Sequence, residues 1–157
     1  MIFKGLAVNK MLKSFKVMLM PNNNQRTRLF QFAGTARFAY NWALQKEREA
    51  HAAGEKFISD NDLRKEFTVL RNSAEYPWLK TISNNVTKQA IKDCVEAFIN
   101  FFKKQSRYPK FKSKRRGDFS FYQDTDKIRI TATHVKLEMI STSRRKNRRQ
   151  LNWIRLA

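Results

Sequence analysis

A change of periodicity along the chain is the strongest constraint on the fold. Residues 11–20, MLKSFKVMLM, place apolar side chains at every second position from Phe15 to Leu19, which predicts a strand. Pro21 and the asparagines after it end this strand and favour a helix start. Helical spacing follows, and short β-like runs return after Pro109. This order predicts that the first strand pairs with the late ones.

The first predicted helix has apolar residues three and four positions apart from Leu29 to Leu44, and Gly54 is its predicted end. Gly34 lies inside this pattern. A glycine costs about 1 kcal/mol relative to alanine in a helix interior. Gly34 therefore marks either a close packing of helices or the turn of a helix-turn-helix.

Two further helices and several strands are predicted downstream. Ser59 and Asp62 resemble a capping box for a second helix that reaches about Asn72. The third helix, over about residues 84–104, has the broadest apolar face in the chain. Residues 141–150 are polar and basic enough to be disordered on their own. Strand-like runs occupy residues 119–122, 127–130, 135–137 and 153–156.

Charge restricts the classes of partner. The chain has 33 Lys and Arg against 13 Asp and Glu, a formal net charge of +20, of which residues 103–157 supply +13. Such an excess favours a polyanion, and nucleic acid is the first candidate. No apolar run approaches the roughly 20 residues of a spanning helix, and the N-terminus lacks a secretory pattern. We therefore expect a cytoplasmic protein with no membrane partner.

Side chains suited to catalysis are few. Cys94 is the single cysteine, and the isolated histidines His51 and His134 complete no zinc-binding or triad spacing. A two-metal nuclease needs convergent carboxylates, whereas the acidic residues here fall mostly on predicted helix surfaces. We expect no catalytic residue, metal, cofactor or small-molecule substrate.

Two basic clusters and one helix face are candidate contacts for nucleic acid. Residues 107–116, RYPKFKSKRR, alternate cations with rings, so they can neutralise phosphates and stack on bases, or form a solvated loop with its rings in the core. Arg37 and Asn41 share a helix face and could reach phosphates or base edges, or form a structural hydrogen-bond cluster at the junction of helix and sheet. The cations selected from the clusters are Lys110, Lys112, Lys114, Arg115, Arg116, Arg144 and Arg145.

Six segments in order resemble the N-terminal half of the OrfB/TnpB family of transposon-associated, RNA-guided DNA endonucleases. They are MLKSFKVMLMPNNNQ, ARFAYNWAL, YPWLK, AIKDCVEAFINFFKK, YPKFKSK and FSF, and the match covers roughly residues 11–137. The resemblance implies contacts to a guide RNA and to target DNA, and a prokaryotic, nucleoid-associated location. It assigns nucleic-acid contact to Arg37, Tyr40 and Asn41 of the ARFAYNWAL segment and to Lys110, Lys112 and Lys114 of YPKFKSK.

The resemblance also implies a fold, namely an α+β protein with a small wedge-type antiparallel β-barrel split by an inserted three-helix recognition lobe. A helix-turn-helix-type domain would cover residues 11–56, with its turn near Gly34. The implied divisions are an N-terminal extension (1–10), a first barrel strand (11–23), the helical recognition lobe (24–106) and a basic β segment completing the barrel (107–157). The tail from about residue 138 departs from the family pattern.

Family members continue through a RuvC-like nuclease domain and a four-cysteine zinc ribbon, and neither can be mapped onto this sequence. The resemblance therefore indicates a truncated or frameshifted member that binds DNA or guide RNA in connection with transposition but does not cut. One alternative is a free-standing helix-turn-helix regulator that reads duplex DNA through a helix beginning near Thr35. The other is a remnant without function.

Overall fold

Three helices and a small sheet make up the described fold. The computed structural model describes residues 17–117 and 119–145. Among the described helices, none is long and apolar enough to cross a membrane. The elements in chain order are β1 (Leu19–Met20), α1 (Asn23–Ala52), α2 (Asp60–Asn72), α3 (Asn84–Phe102), β2 (Arg129–Ile130), β3 (His134–Leu137) and β4 (Ile140–Arg145).

Helix α1 begins at a reciprocal cap and runs without interruption past Gly34. The side chain of Asn22 accepts a hydrogen bond from the Gln25 N–H, and the Gln25 side chain accepts one from the Asn22 N–H, each at 2.9 Å. The turn predicted near Gly34 is wrong, because α1 continues to Ala52. Residues on both sides of Gly34 are buried in the core, and this packing outweighs the weak helix propensity of one glycine.

Helices α2 and α3 complete the helical core. Helix α2 begins after Ser59 as predicted, and the Ser59 hydroxyl accepts a hydrogen bond from the Asp62 N–H at 3.2 Å. Helix α3 starts at Asn84 as predicted and ends at Phe102, two residues before the expected Lys104. Helix α1 packs chiefly along α3. The largest side chains with less than 2% exposure include Phe32, Leu44, Leu63, Leu79 and Ile91.

The sheet formed by the described residues is open, so the predicted β-barrel is wrong. Its four antiparallel strands have the order β1-β4-β3-β2, and the edge strands β1 and β2 do not pair with each other. Both edge strands have two residues, which gives too few ladder bonds to curve the sheet onto itself. Strand β1 does pair with a late strand, since Leu19 and Met20 face Arg145 and Arg144 of β4.

Two predictions about the later part of the chain are also corrected. Residues 119–122 form no strand, and Phe119 and Phe121 instead pack on the α1 rings of Phe30 and Phe32, with 5.3 Å between centroids in each pair. The stretch expected to be disordered forms β4 as far as Arg145, because it lies between β1 and β3 and completes both ladders. The predicted extension at 1–10, most of the first strand (11–16) and the run at 153–156 fall outside the described residues.

Candidate nucleic-acid interface

The basic loop over residues 107–117 is attached to α1 by one amide side chain. The Asn41 Nδ2 donates a hydrogen bond to the Lys112 carbonyl oxygen at 3.0 Å, and the Asn41 Oδ1 accepts one from the Lys112 N–H at 2.8 Å. Both polar groups of the Asn41 amide are therefore used on one peptide segment. The structural hydrogen-bond alternative describes this contact, although it joins the helix to a loop rather than to the sheet.

Two cation–ring contacts reinforce this attachment. The Lys112 Nζ lies 4.2 Å from the centroid of the Tyr40 ring, and the Arg48 guanidinium carbon lies 5.3 Å from the centroid of the Phe111 ring. A cation of the loop thus contacts the Tyr40 ring of α1, and a cation of α1 contacts the Phe111 ring of the loop. Such contacts contribute about 0.5–1 kcal/mol each at exposed positions.

The second loop ring, Tyr108, is also engaged within the protein. Its ring meets Phe98 and Phe101 of α3 edge-on, at centroid distances of 5.6 and 5.2 Å. Tyr108 nevertheless remains 42% exposed and Phe111 36% exposed. Both rings therefore anchor the loop while part of each ring stays at the surface.

Arg37 lies one helical turn before Asn41 on the same face of α1. It is half-buried, and its Nη1 atom is buried without a hydrogen-bond partner among the described residues. A buried N–H of a charged group that lacks an acceptor is costly. The Arg37 guanidinium is therefore not fully satisfied within the described part of the chain.

The remaining predicted contacts divide into an exposed set and a set on the sheet. Lys110, Lys114 and Arg115 are exposed, and the Arg116 guanidinium donates a hydrogen bond to the Phe111 carbonyl oxygen. The other two predicted residues belong to β4, and their side chains lie outside the described part of the chain. The structure thus brings together Arg37, Tyr40, Asn41 and Lys112 beside the exposed loop cations, and it leaves Arg144 and Arg145 on the sheet.

Tyr40 is buried, with 6% exposure, and the Lys112 ammonium group lies over its ring. Burial raises the pKa of Tyr40 to about 12, and Cys94 and Asp93 add to the increase. The phenol is therefore neutral at physiological pH.

Arg48 is a member of this surface that sequence reasoning missed. The signal was available, because Arg48 follows Asn41 by seven residues, which returns it to the same helix face.

Replacing Asn41 by alanine is expected to destabilise the chain by about 1–3 kcal/mol, because the Lys112 N–H and carbonyl lose their partners in a partly buried site. Denaturant unfolding measures the loss, and hydrogen exchange at the Lys112 amide reports the freed loop. Gln45→Ala is the matched control, since Gln45 is an exposed amide on α1 whose Nε2 donates a hydrogen bond to Glu49 of the same helix. An unchanged exchange rate at Lys112 in the Asn41 variant would contradict the role assigned to this contact.

A carboxyl group lies inside the helical core. Glu47 of α1 is 3% exposed, its Oε2 accepts a hydrogen bond from the Ile58 N–H at 3.4 Å, and its Oε1 has no partner among the described residues. Burial raises the pKa of Glu47 to about 7, against a smaller lowering by the Ile58 bond. The described residues contain no group of three or more His, Cys, Asp or Glu placed to hold a metal ion.

Protonation of the Glu47 carboxyl is expected to make the free energy of unfolding depend on pH. Its folded pKa of about 7 exceeds the ordinary 4.5, so between these values the folded chain binds more protons than the unfolded chain. We expect the free energy of unfolding to fall as pH rises from 5 to beyond 7, and Glu47→Gln to remove this contribution. Urea unfolding of both proteins at several pH values measures it. Parallel profiles for wild type and variant would refute the assignment.

A basic loop fastened to a long helix, on a scaffold of three α-helices and a small antiparallel sheet, is the architecture of the described part of this α+β chain. Residues 11–56 match the model of the OrfB/IS605 helix-turn-helix domain. The chain is 31% identical over 145 residues to the Putative RNA-guided DNA endonuclease InsQ of Escherichia coli (strain K12), a match that covers 92% of this chain and 36% of that protein.

A second relative is the Putative RNA-guided DNA endonuclease of Streptomyces pristinaespiralis, 29% identical over 105 residues, or 67% of this chain and 26% of that protein. These matches confirm the predicted resemblance to the N-terminal part of the OrfB/TnpB family. The matches span only 36% and 26% of the length of these two curated relatives. The matched domain supports DNA binding and a connection with transposition.

Proposed function

We propose that this chain binds nucleic acid through the sugar–phosphate backbone and that it recognises both DNA and a transposon-derived guide RNA in the prokaryotic nucleoid. The double hydrogen bond between Asn41 and Lys112 is the observation that carries this proposal. It holds the loop cations beside Arg37 and Arg48 of α1, so that helix and loop present one basic surface. Phosphates are the groups that such a surface neutralises.

Recognition of the backbone is favoured over reading of base edges. Asparagine reads adenine with both groups of its amide, and both groups of Asn41 already bond to Lys112. The rings of Tyr108 and Phe111 contact α3 and Arg48, which limits their use as stacking platforms. The cations Lys110, Lys114 and Arg115 remain exposed and suit phosphate contacts.

RNA is proposed as a partner because the relatives are named RNA-guided DNA endonucleases. We further propose that this chain does not cut on its own. Three of its described carboxylates are engaged locally: Asp60 pairs with Arg64 of the same helix at 2.5 Å, Asp62 pairs with Lys65 at 3.0 Å, and Glu47 is enclosed in the core. Metal-dependent cleavage requires carboxylates that converge on one or two ions.

Binding assays test the proposal directly. The purified chain is titrated with its flanking transposon-end RNA, with unrelated RNA and with duplex DNA, each over a range of salt concentrations. We expect binding to all three with a steep salt dependence, and a preference for the transposon-end RNA that persists at about 0.2 M salt. Incubation with Mg²⁺ is expected to leave the nucleic acids intact.

Other results would redirect the interpretation. Strong discrimination among duplex DNA sequences, lost in Arg37 or Asn41 variants, would favour the free-standing helix-turn-helix regulator. Absence of binding to any of the three at low salt would refute the proposed function.

A further inference from the structure

No packing contact or backbone angle in the described fold requires a glycine at Gly34. It lies in the interior of α1, where glycine is less favourable than alanine. A Cβ added there would meet only the Arg37 Nη2 atom, at 3.9 Å, which is an ordinary van der Waals distance. Neither a close helix packing nor a turn therefore explains the glycine.

Arg37 borders the same place, and one of its guanidinium nitrogens has no acceptor among the described residues. Its Nη1 atom is buried without a partner in the described part of the chain, and its Nη2 atom is the nearest neighbour of the space above Gly34. No ion pair joins Arg37 to a described carboxylate. The side chain thus combines an unused donor with open space beside the helix backbone.

We infer that the notch above Gly34 admits a phosphate of the nucleic-acid backbone, which accepts hydrogen bonds from the Arg37 guanidinium. This inference rests on the proposed function and assigns one contact point to it. A guanidinium offers parallel donors that match phosphate oxygens, and the absence of a Cβ allows a ligand to approach the helix closely. The notch lies one turn before Asn41, so it extends the surface formed with the basic loop along α1.

Gly34→Ala separates this role from a structural one, because the two effects have opposite signs. We expect the melting temperature of the free chain to rise by about 2–4 °C, since alanine is the better helix former and no atom obstructs its Cβ. We expect affinity for nucleic acid to fall by about tenfold, because the methyl group occupies the space of the phosphate. Thermal melting measures the first effect, and fluorescence anisotropy with a labelled RNA and a labelled duplex DNA measures the second.

Two further variants sharpen the test. Arg37→Lys keeps the charge but loses the paired donors, and is expected to weaken binding by a similar factor. Gln31→Ala, an exposed change one turn before the notch, is expected to leave binding unaltered.

Three outcomes would overturn the inference, and they are distinguishable. Wild-type affinity in Gly34→Ala, together with weakened binding when the loop cations are removed, would refute the notch and leave the proposed function standing. A lowered melting temperature with lost binding would show that Gly34 serves the fold. A wild-type chain that binds neither nucleic acid would refute the proposed function itself.

Discussion

Replacing Lys110, Lys114 and Arg115 together by glutamine is expected to lower affinity for nucleic acid by about a hundredfold at about 0.1 M salt. All three side chains are exposed on the loop fastened to α1, so their removal leaves its attachment intact. Each phosphate contact adds about 0.7–0.9 to the slope of log affinity against log salt. The slope should therefore fall by about 2–3, as measured by anisotropy titrations over a range of salt concentrations.

A matched variant separates position from net charge. Lys65, Lys80 and Lys92 are exposed on α2, on the short helix Pro77–Thr81 and on α3, and their joint replacement by glutamine removes the same charge. We expect that variant to keep most of the wild-type affinity and slope. Equal losses in the two triple variants would mean that binding depends on total charge, and the proposed surface would have to be abandoned.

Phe67→Ala is expected to reduce the free energy of unfolding by about 3–5 kcal/mol. The Phe67 ring is 2% exposed and lies 5.1 Å from the Trp42 centroid and 6.3 Å from the Phe38 centroid, so it joins α2 to α1. Its loss leaves a cavity between two helices that have few other contacts. Since domains are typically stable by only about 5–15 kcal/mol, urea unfolding should show a large shift of the midpoint.

The control for this prediction lies two residues away on the same helix. Val69 is 74% exposed, and Val69→Ala is expected to change stability by less than about 0.5 kcal/mol. A loss below about 1.5 kcal/mol in Phe67→Ala would show that the rings around Phe67 repack and that α2 is held by other contacts.

The helices could be predicted because their signals are local. The Ser59 side chain caps α2 by accepting a hydrogen bond from the N–H three residues later. The apolar spacing of α3 repeats over the length of that helix. The continuity of α1 could not be predicted, since a glycine interior to a helix lowers local propensity whether or not tertiary packing compensates. Phe32 and Ala36, on either side of Gly34, are buried in the core and decide the outcome.

The sheet was harder to predict, because its strands depend on partners far away in sequence. Strand β4 begins at Ile140 and continues with a polar and basic sequence that shows no alternation. It is a strand because β1 and β3 pair with it on either side. Residues 119–122 alternate well, yet their rings pack on α1 instead of joining a ladder. The barrel was expected from family resemblance, and the short edge strands show why the sheet stays open.

The candidate surface was predictable in composition but not in geometry. The sequence identified Arg37, Asn41 and the loop cations and left open whether the helix residues contact phosphates or bond within the protein. The contact between Asn41 and Lys112 spans 71 residues, so no local pattern could reveal it. The two helix residues differ in the structure, since the Asn41 amide bonds to Lys112 and Arg37 keeps a donor without a partner in the part of the chain that the structure describes.

The pairing of β1 with β4 affects how the chain reaches its fold during synthesis. Met20 faces Arg144, so nearly all of the described chain must leave the ribosome before this ladder can form. The helices need only nearer neighbours and can assemble first, because local contacts form faster than distant ones. The sheet is therefore the last described element to be completed, and until then β1 is an unpaired edge open to wrong partners.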